Sequence, residues 1–321
     1  MSQMPEAPLL DVRGLRVDYL TANGRVRAVN GVSLAVKEGE VVGLAGESGS
    51  GKSTIAHAIL RILRPPALIT GGEVLFAGQD TLKMDDAQLE AFRWSRVSIV
   101  FQSAMNSLNP VLSVREQLVD VMQNHGLTKE QANRRAGELF QLIGIEPRRL
   151  DSYPHELSGG MRQRTVIAMA LALNPDLLIL DEPTTALDVV VQKDILLQMA
   201  RLREALGLAV LFITHDLSLL VEFSGRILIM YAGELVEGAP ARTLFDQPLH
   251  PYTVGLMNSF PSISGEKRRL TGIPGSPPDL ISPPTGCRFH PRCPKAMAVC
   301  SQAAPEMKIV SPEHSVACHL Y

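Results

Sequence analysis

Cysteine is absent from the first 286 residues of this 321-residue chain; Cys287, Cys293, Cys300 and Cys318 all fall in the final 35. A disulfide framework for the main body is therefore excluded. The opening MSQMPEAPLLDVRG lacks a charged-then-apolar leader, and no apolar run approaches the roughly 18 residues that would cross a bilayer. These absences predict a soluble, cytoplasmic chain, where thiols stay reduced and a cysteine cluster points to metal or redox chemistry before structural disulfides. Charge of one sign is missing too: 31 Lys and Arg against 33 Asp and Glu leave a net charge of -2. No overall positive field draws the chain to nucleic acid or to an anionic membrane surface. There is no internal repeat.

The hydrophobic content is 45 %, enough for one large domain with an appendage. Residues 40–63, EVVGLAGESGSGKSTIAHAILRIL, read as a short buried strand, a glycine-rich turn and a helix. Two further apolar strands, DLLILDEP (176–183) and LAVLFITHD (208–216), flank a helical stretch, VVVQKDILLQMARLREA. Strands alternating with helices predict an α/β fold with a largely parallel sheet and functional groups at strand carboxyl ends. Residues 88–173 carry helical periodicity in SVREQLVDVMQNHG, KEQANRRAGELFQLIG and GGMRQRTVIAMALAL, and read as a helical insertion. From residue 239 onward the pattern changes, because 13 of the 22 prolines lie there. Long regular helices are not expected in that tail, so it needs another source of rigidity.

In GESGSGKS, Gly46, Gly51, Lys52 and Ser53 have the spacing glycine, four residues, glycine, lysine, serine, between a predicted strand and a predicted helix. Glycines there let backbone N–H groups approach phosphate oxygens, the helix N-terminus adds its positive dipole end, Lys52 reaches terminal phosphates and Ser53 can ligate Mg²⁺. The nucleotide is expected on Gly46, Glu47, Ser48, Gly49, Ser50, Gly51, Lys52, Ser53 and Thr54. A merely flexible glycine loop is the plainer alternative. The strand DLLILDEP ends in Asp181 and Glu182, which can divide labour: Asp181 orients the metal through its water shell and Glu182 polarises the attacking water. Capping or a salt bridge is the structural alternative for such strand-end acids.

HELSGGMRQR (155–164) makes the reading specific. Leu157, Ser158, Gly159, Gly160 and Gln163 resemble the signature motif of the ATP-binding cassette (ABC) ATPases, and residues from about 10 to 238 resemble that family's nucleotide-binding domain. The resemblance implies a P-loop cassette with a largely parallel core sheet, an antiparallel β subdomain and a helical subdomain at about 88–173. It assigns Tyr19 to adenine stacking, Gln102 to the glutamine loop and the metal, Asp188 to the D-loop in TALD, and His215 in ITHD to sensing the γ-phosphate. By themselves Tyr19, Gln102 and His215 read as a half-buried strand tyrosine, a surface amide and a polar cap at a strand end. The signature has a physical sense, since a glycine pair opening a helix offers anion donors in Ser158 and the Gly160 N–H. The family places these against the phosphate loop of a second cassette, so Ser158, Gly159, Gly160, Gln163 and Asp188 would act across a dimer. SAMNSLNPVLSVREQL after Gln102 resembles the segment that receives a membrane subunit.

LHPYTVGLMNSFPS (249–262) and the later GCRFHPRCP resemble the C-terminal extension of ATP-binding subunits from oligopeptide and dipeptide importers, whose relatives also carry nickel. Two domains follow, 1–238 and 239–321. The implied assembly is a second cassette subunit, two transmembrane permease subunits and an extracytoplasmic solute-binding protein, with this chain on the cytoplasmic face of the membrane and no nucleic acid bound. A cassette ATPase acting on nucleic acid or the ribosome is the competing function. The cysteines are spaced C-x5-C-x6-C-x17-C, without the C-x2-C pair from which zinc ribbons and simple ferredoxins usually begin. Four thiolates still suit zinc or an iron-sulfur cluster. Similar importer subunits imply a [4Fe-4S] cluster on Cys287, Cys293, Cys300 and Cys318, with His290 and His319 flanking it without ligating.

Overall fold

Leu10, Val12, Leu15 and Val17 are all fully buried on one strand, although their spacing changes parity after Val12. The strand is β1 (Leu10–Thr21), and its register against β4 (Ala67–Phe76) slips between Arg13 and Arg16, at Gly14 with φ 56°. A bulge here adds one residue and returns the apolar set to the same face. Gly72 of β4 permits the close approach, since a Cβ there would stand 2.6 Å from the Leu15 backbone.

The computed structural model describes residues 7–102, 107–183, 188–259 and 272–321. They divide into two compact units, one of 1–35, 41–82 and 213–321 and one of 36–40 and 83–212. The tail that sequence composition sets apart at 239 thus shares a unit with the phosphate loop.

In the first unit, β1 and β4 join β2 (Gly24–Val36) and β5 (Gln79–Asp80) in a sheet of order β2-β1-β4-β5. The fully buried β3 (Val41–Ala45) leads into α1 (Lys52–Ile59) and runs parallel to β9 (Arg226–Tyr231). The hairpin partner of β9 is β10 (Glu234–Pro240). The tail then adds strands of its own: β12 (His314–Val316) pairs antiparallel with β10, and β11 (Lys308–Ser311) with β12. Its helices are short, α8 (Ala241–Asp246), α9 (Pro251–Asn258) and α10 (Ala298–Gln302), as its proline content predicts.

The second unit holds strands in the order β8-β7-β6, with β6 (Val97–Val100) parallel to β7 (Leu177–Asp181) and β8 at Ala209–Ile213. Its helices begin where the sequence signals them. Capping boxes Asp85/Gln88, Ser113/Glu116 and Thr128/Gln131 open α2 (Asp86–Phe92), α3 (Val114–Asn124) and α4 (Lys129–Leu142). Ser158 caps α5 (Gly159–Ala170), and Asp188 caps α6 (Val189–Leu206). Among the described residues no helix is long and apolar enough to cross a membrane.

One acid anchors the tail. Glu237 of β10 is 0 % exposed, and its carboxylate accepts the Leu249 N–H at 2.7 Å, the His250 N–H at 2.9 Å and a contact with His314 Nε2 at 2.8 Å. Every oxygen is therefore satisfied, as a buried carboxylate requires. His250 is itself 1 % exposed, and burial pushes its pKa from 6.5 down to about 4. The neutral ring accepts the Tyr252 N–H on Nδ1 at 3.0 Å and so caps α9. On unfolding the ring regains its ordinary pKa, so between pH 6.5 and about 4 the unfolded chain binds the extra proton and stability falls as pH falls. The whole shift corresponds to about 3 kcal/mol. His250→Asn keeps a cap acceptor but removes the titration; urea unfolding across this window should steepen with acid in the wild type and flatten in the variant. Parallel curves would place the acid sensitivity elsewhere.

Candidate functional site

The phosphate loop follows β3 directly, and its glycines are required by contact as well as by conformation. Gly46 (φ 151°) and Gly51 (φ 101°) would each place a Cβ 2.2 Å from a backbone oxygen, of Met230 and Ala28 respectively. Gly49 also has positive φ, at 76°. No other residue fits all three positions. Lys52 is buried at the start of α1 and donates to Gly46 O at 2.8 Å, Glu47 O at 2.9 Å and Ser50 Oγ at 3.3 Å. The loop therefore curls around its own ammonium group, beside the N-terminus of α1, where backbone N–H groups and the helix dipole favour an anion. Ser53 and Thr54 lie in the first turn of that helix. Tyr19, half-buried on β1, puts its hydroxyl 3.3 Å from Thr54 Oγ1, which brings the expected base platform to the same helix start.

Glu47 departs from expectation. Its N–H donates to the Tyr252 hydroxyl at 2.8 Å, and Arg292 grips its carboxylate with two bonds, of 2.7 and 3.0 Å. Its N–H and its carboxylate are thus engaged by the tail, while its carbonyl oxygen accepts from Lys52. Tyr252 and Arg292 were not legible as site residues in the sequence; the only signal was an acid placed inside a glycine-rich phosphate loop. His215, in the same unit, is exposed just beyond the end of β8, next to Asp216, which caps α7 (Leu217–Phe223).

In the second unit, Asp181 is buried at the carboxyl end of β7, and Glu182 follows at φ 48°. A left-handed glutamate is strained and persists only where its surroundings fix it. Gln102, eighty residues earlier, donates from Nε2 to Glu182 Oε2 at 2.9 Å, so the expected glutamine-loop amide and the expected water-activating acid are brought together. The signature opens α5 as predicted, with Ser158 Oγ accepting the Met161 N–H at 3.3 Å. Gly160 is also a packing residue, since a Cβ there would meet Val191 Cγ1 at 2.9 Å. Gln163 differs from the expected anion donors. It is 2 % exposed, with its amide nitrogen unpartnered among the described residues, and sits a turn inside the helix. Asp188 accepts the Val191 N–H at 3.0 Å. Residues 184–187 of the D-loop, 103–106 of the expected coupling segment and 260–262 of the tail motif lie outside the described residues.

The four cysteines form no disulfide. Cys287 and Cys300 are tied by Cys287 N–H to Cys300 O at 2.8 Å, under Gly286, where a Cβ would stand 2.4 Å from that oxygen. Burial pushes the Cys287 thiol up to about 11, and the nearby Cys300, Cys318 and Cys293 push the same way. Burial also raises Cys293 and Cys318. Backbone N–H groups of Phe289, Lys295 and Leu320 hydrogen-bond to the sulfurs of Cys287, Cys293 and Cys318, and Met297 N–H to Cys300 Sγ at 3.4 Å. His290 Nδ1 and His319 Nε2 instead bond backbone oxygens, of Cys287 at 2.9 Å and Ala303 at 2.8 Å. Among the described residues no three Cys, His, Asp or Glu side chains come close enough to hold a single ion.

A glycine cradle with a buried lysine before a helix, a strand ending in paired acids and a second glycine-opened helix define a P-loop nucleoside triphosphatase of the cassette type. Comparison with known proteins agrees. Residues 29–185 match the ABC transporter family and residues 236–300 match the oligopeptide/dipeptide transporter C-terminal region. The chain is 46 % identical to a probable peptide ABC transporter ATP-binding protein, y4tR, of Sinorhizobium fredii, over 99 % of this chain and 97 % of that protein. It is 42 % identical to the oligopeptide transport ATP-binding protein OppD of Salmonella typhimurium, over 98 % and 94 %. Among solved structures, the dimeric structure of MJ0796, a bacterial ABC transporter cassette, has a TM-score of 0.64 at 32 % identity and covers 73 % of this chain and 99 % of its own. A post-hydrolysis dimer of the same cassette, bound to ADP and Pi, matches with the same figures. The chain belongs to the ATP-binding subunits of ABC transporters that carry the oligopeptide/dipeptide-type C-terminal region, and it is an ATPase.

Proposed function

We propose that this chain powers the import of di- or oligopeptides by closing on ATP against a second, homologous cassette and reopening after hydrolysis. The observation that carries the peptide assignment is the C-terminal region, which follows a full cassette in one chain and matches the oligopeptide/dipeptide type. Lys52 and the loop N–H groups bind the phosphates, Tyr19 stacks on the base, and Ser53, Asp181 and Gln102 are the groups for Mg²⁺. Glu182 orients and deprotonates the attacking water, and His215 senses the γ-phosphate. Ser158, Gly159, Gly160 and Asp188 serve the partner cassette's nucleotide. Two transmembrane permeases and an extracytoplasmic binding protein complete the importer, with this subunit on the cytoplasmic face. Affinity purification from detergent-solubilised membranes tests this: the permease subunits should copurify, whereas retention of ribosomes or DNA would overturn transport.

The four cysteines are the proposed ligands of a [4Fe-4S] cluster, which when bound cross-links residues 287–300 to Cys318. Support comes from thiols that are unpaired, close enough to raise one another's pKa, and supplied with N–H donors at the sulfur. Tetrahedral zinc needs its sulfurs gathered around a single ion, whereas a cubane takes each thiolate on a separate iron. Bound there, such a cluster would take the thiols as thiolates and would add a cross-link to a tail whose helices and strands are short. Anaerobically purified protein should contain about four irons and four sulfides per chain. If it contains neither, the cluster is wrong.

A further inference from the structure

The phosphate loop is built from glycines, whose backbone freedom gives it no shape of its own. Its order must come from what grips it. Lys52 holds it from inside, through Gly46 O, Glu47 O and Ser50 Oγ. From outside, the Gly233 N–H donates to Ser50 O at 2.9 Å, and the tail grips the loop at Glu47, with Tyr252 taking the N–H and Arg292 forking onto the carboxylate.

Arg292 is built for this single task. Its side chain is 6 % exposed and almost all its donors are spent: two on Glu47, Nε on Pro274 O at 2.8 Å, others on Gly275 O at 3.4 Å and the Tyr231 hydroxyl at 3.2 Å. Its guanidinium carbon lies 5.7 Å from the centroid of the Tyr231 ring, and Tyr231, Tyr252 and Phe289 pack together beneath, with ring centroids 4.6 to 5.4 Å apart. A planar fork fixed at its base by backbone carbonyls presents the carboxylate with one geometry, which lysine cannot do. The next residue along the chain is Cys293.

We infer that Arg292 is a positioning residue for ATP binding: it preorganises the phosphate loop through Glu47, so that the affinity of the cassette for nucleotide depends on the folded C-terminal tail. The inference rests on the ATPase reading and adds that the tail acts on the loop directly. Arg292 does not touch the reacting atoms, so its loss acts on nucleotide affinity ahead of turnover.

The test compares the wild type, Arg292→Met, Arg292→Lys, Glu47→Gln and the Arg292→Met/Glu47→Gln double variant, for MgATP Kd and, in the assembled transporter, for KM and kcat. Arg292→Met should raise Kd and KM about tenfold and leave kcat within about twofold, with Arg292→Lys between it and the wild type. The double variant should be no weaker than Arg292→Met, because one interaction has been removed twice. Glu47→Gln cuts the same link from the loop side and leaves the tail's own residues intact, so it reports even if Arg292→Met fails to fold. Unchanged Kd in a folded Glu47→Gln or Arg292→Met protein, or losses that add in the double variant, would overturn the inference. A wild type that binds no MgATP would instead defeat the ATPase reading itself.

Discussion

Glu182→Gln should lower steady-state ATP hydrolysis in the assembled transporter by about two to four orders of magnitude, the usual contribution of a positioned general base, while leaving ATP binding intact. The substitution is close to isosteric. Its amide oxygen still accepts from Gln102 Nε2, which donates to Glu182 at 2.9 Å, so the strained turn at φ 48° keeps its partner. What is lost is the basicity needed to draw a proton from water. Nucleotide then continues to bring two cassettes together but is not consumed, and the closed dimer accumulates by mass action. Size-exclusion chromatography with MgATP should show a persistent dimer for the variant and a transient one for the wild type. Hydrolysis at the wild-type rate would remove Glu182 from the role of water-activating residue.

Lys52→Ala should act a step earlier, weakening MgATP binding by about a hundredfold or more. Two losses combine in it. A cation within reach of the terminal phosphates disappears, and so do the three bonds that shape the loop around it, to Gly46 O, Glu47 O and Ser50 Oγ. Lys52→Arg should not restore binding, because a planar fork cannot place its donors on this tight ring of acceptors. Equilibrium dialysis with labelled ATP distinguishes this from Glu182→Gln: the lysine variant fails to bind, and the glutamate variant binds without turning over. Retained affinity in Lys52→Ala would show that backbone N–H groups alone carry the phosphates.

The parts of the fold that were legible in the sequence are those where geometry admits few residue types. Gly46 and Gly51 could be read because a Cβ at either would collide with backbone at 2.2 Å, so their spacing is fixed by the fold. The strands β3, β7 and β8 are buried throughout and appear as unbroken apolar runs. Helix starts could be read from Ser113, Thr128 and Ser158, whose side chains accept backbone N–H groups. The tail was less legible. All four residues of β11 are exposed and β12 has only three, so neither shows alternation, and their place beside β10 depends on pairing across more than seventy residues. Arg292 and Glu47 are 245 residues apart, and nothing local to either announces the other. The burial of Gln163 was not legible either: the motif places it with the signature residues, and helix periodicity carries its side chain into the interior.

The proposed function has ATP hydrolysis on this chain drive peptide across a membrane. Its most direct test is uptake of a labelled peptide into cells deleted for this chain and supplied with the wild type or Glu182→Gln. Uptake should be lost on deletion, return with the wild type and stay absent with Glu182→Gln although that protein is made and membrane-bound. Uptake that persists without the chain, or that Glu182→Gln restores in full, would contradict it.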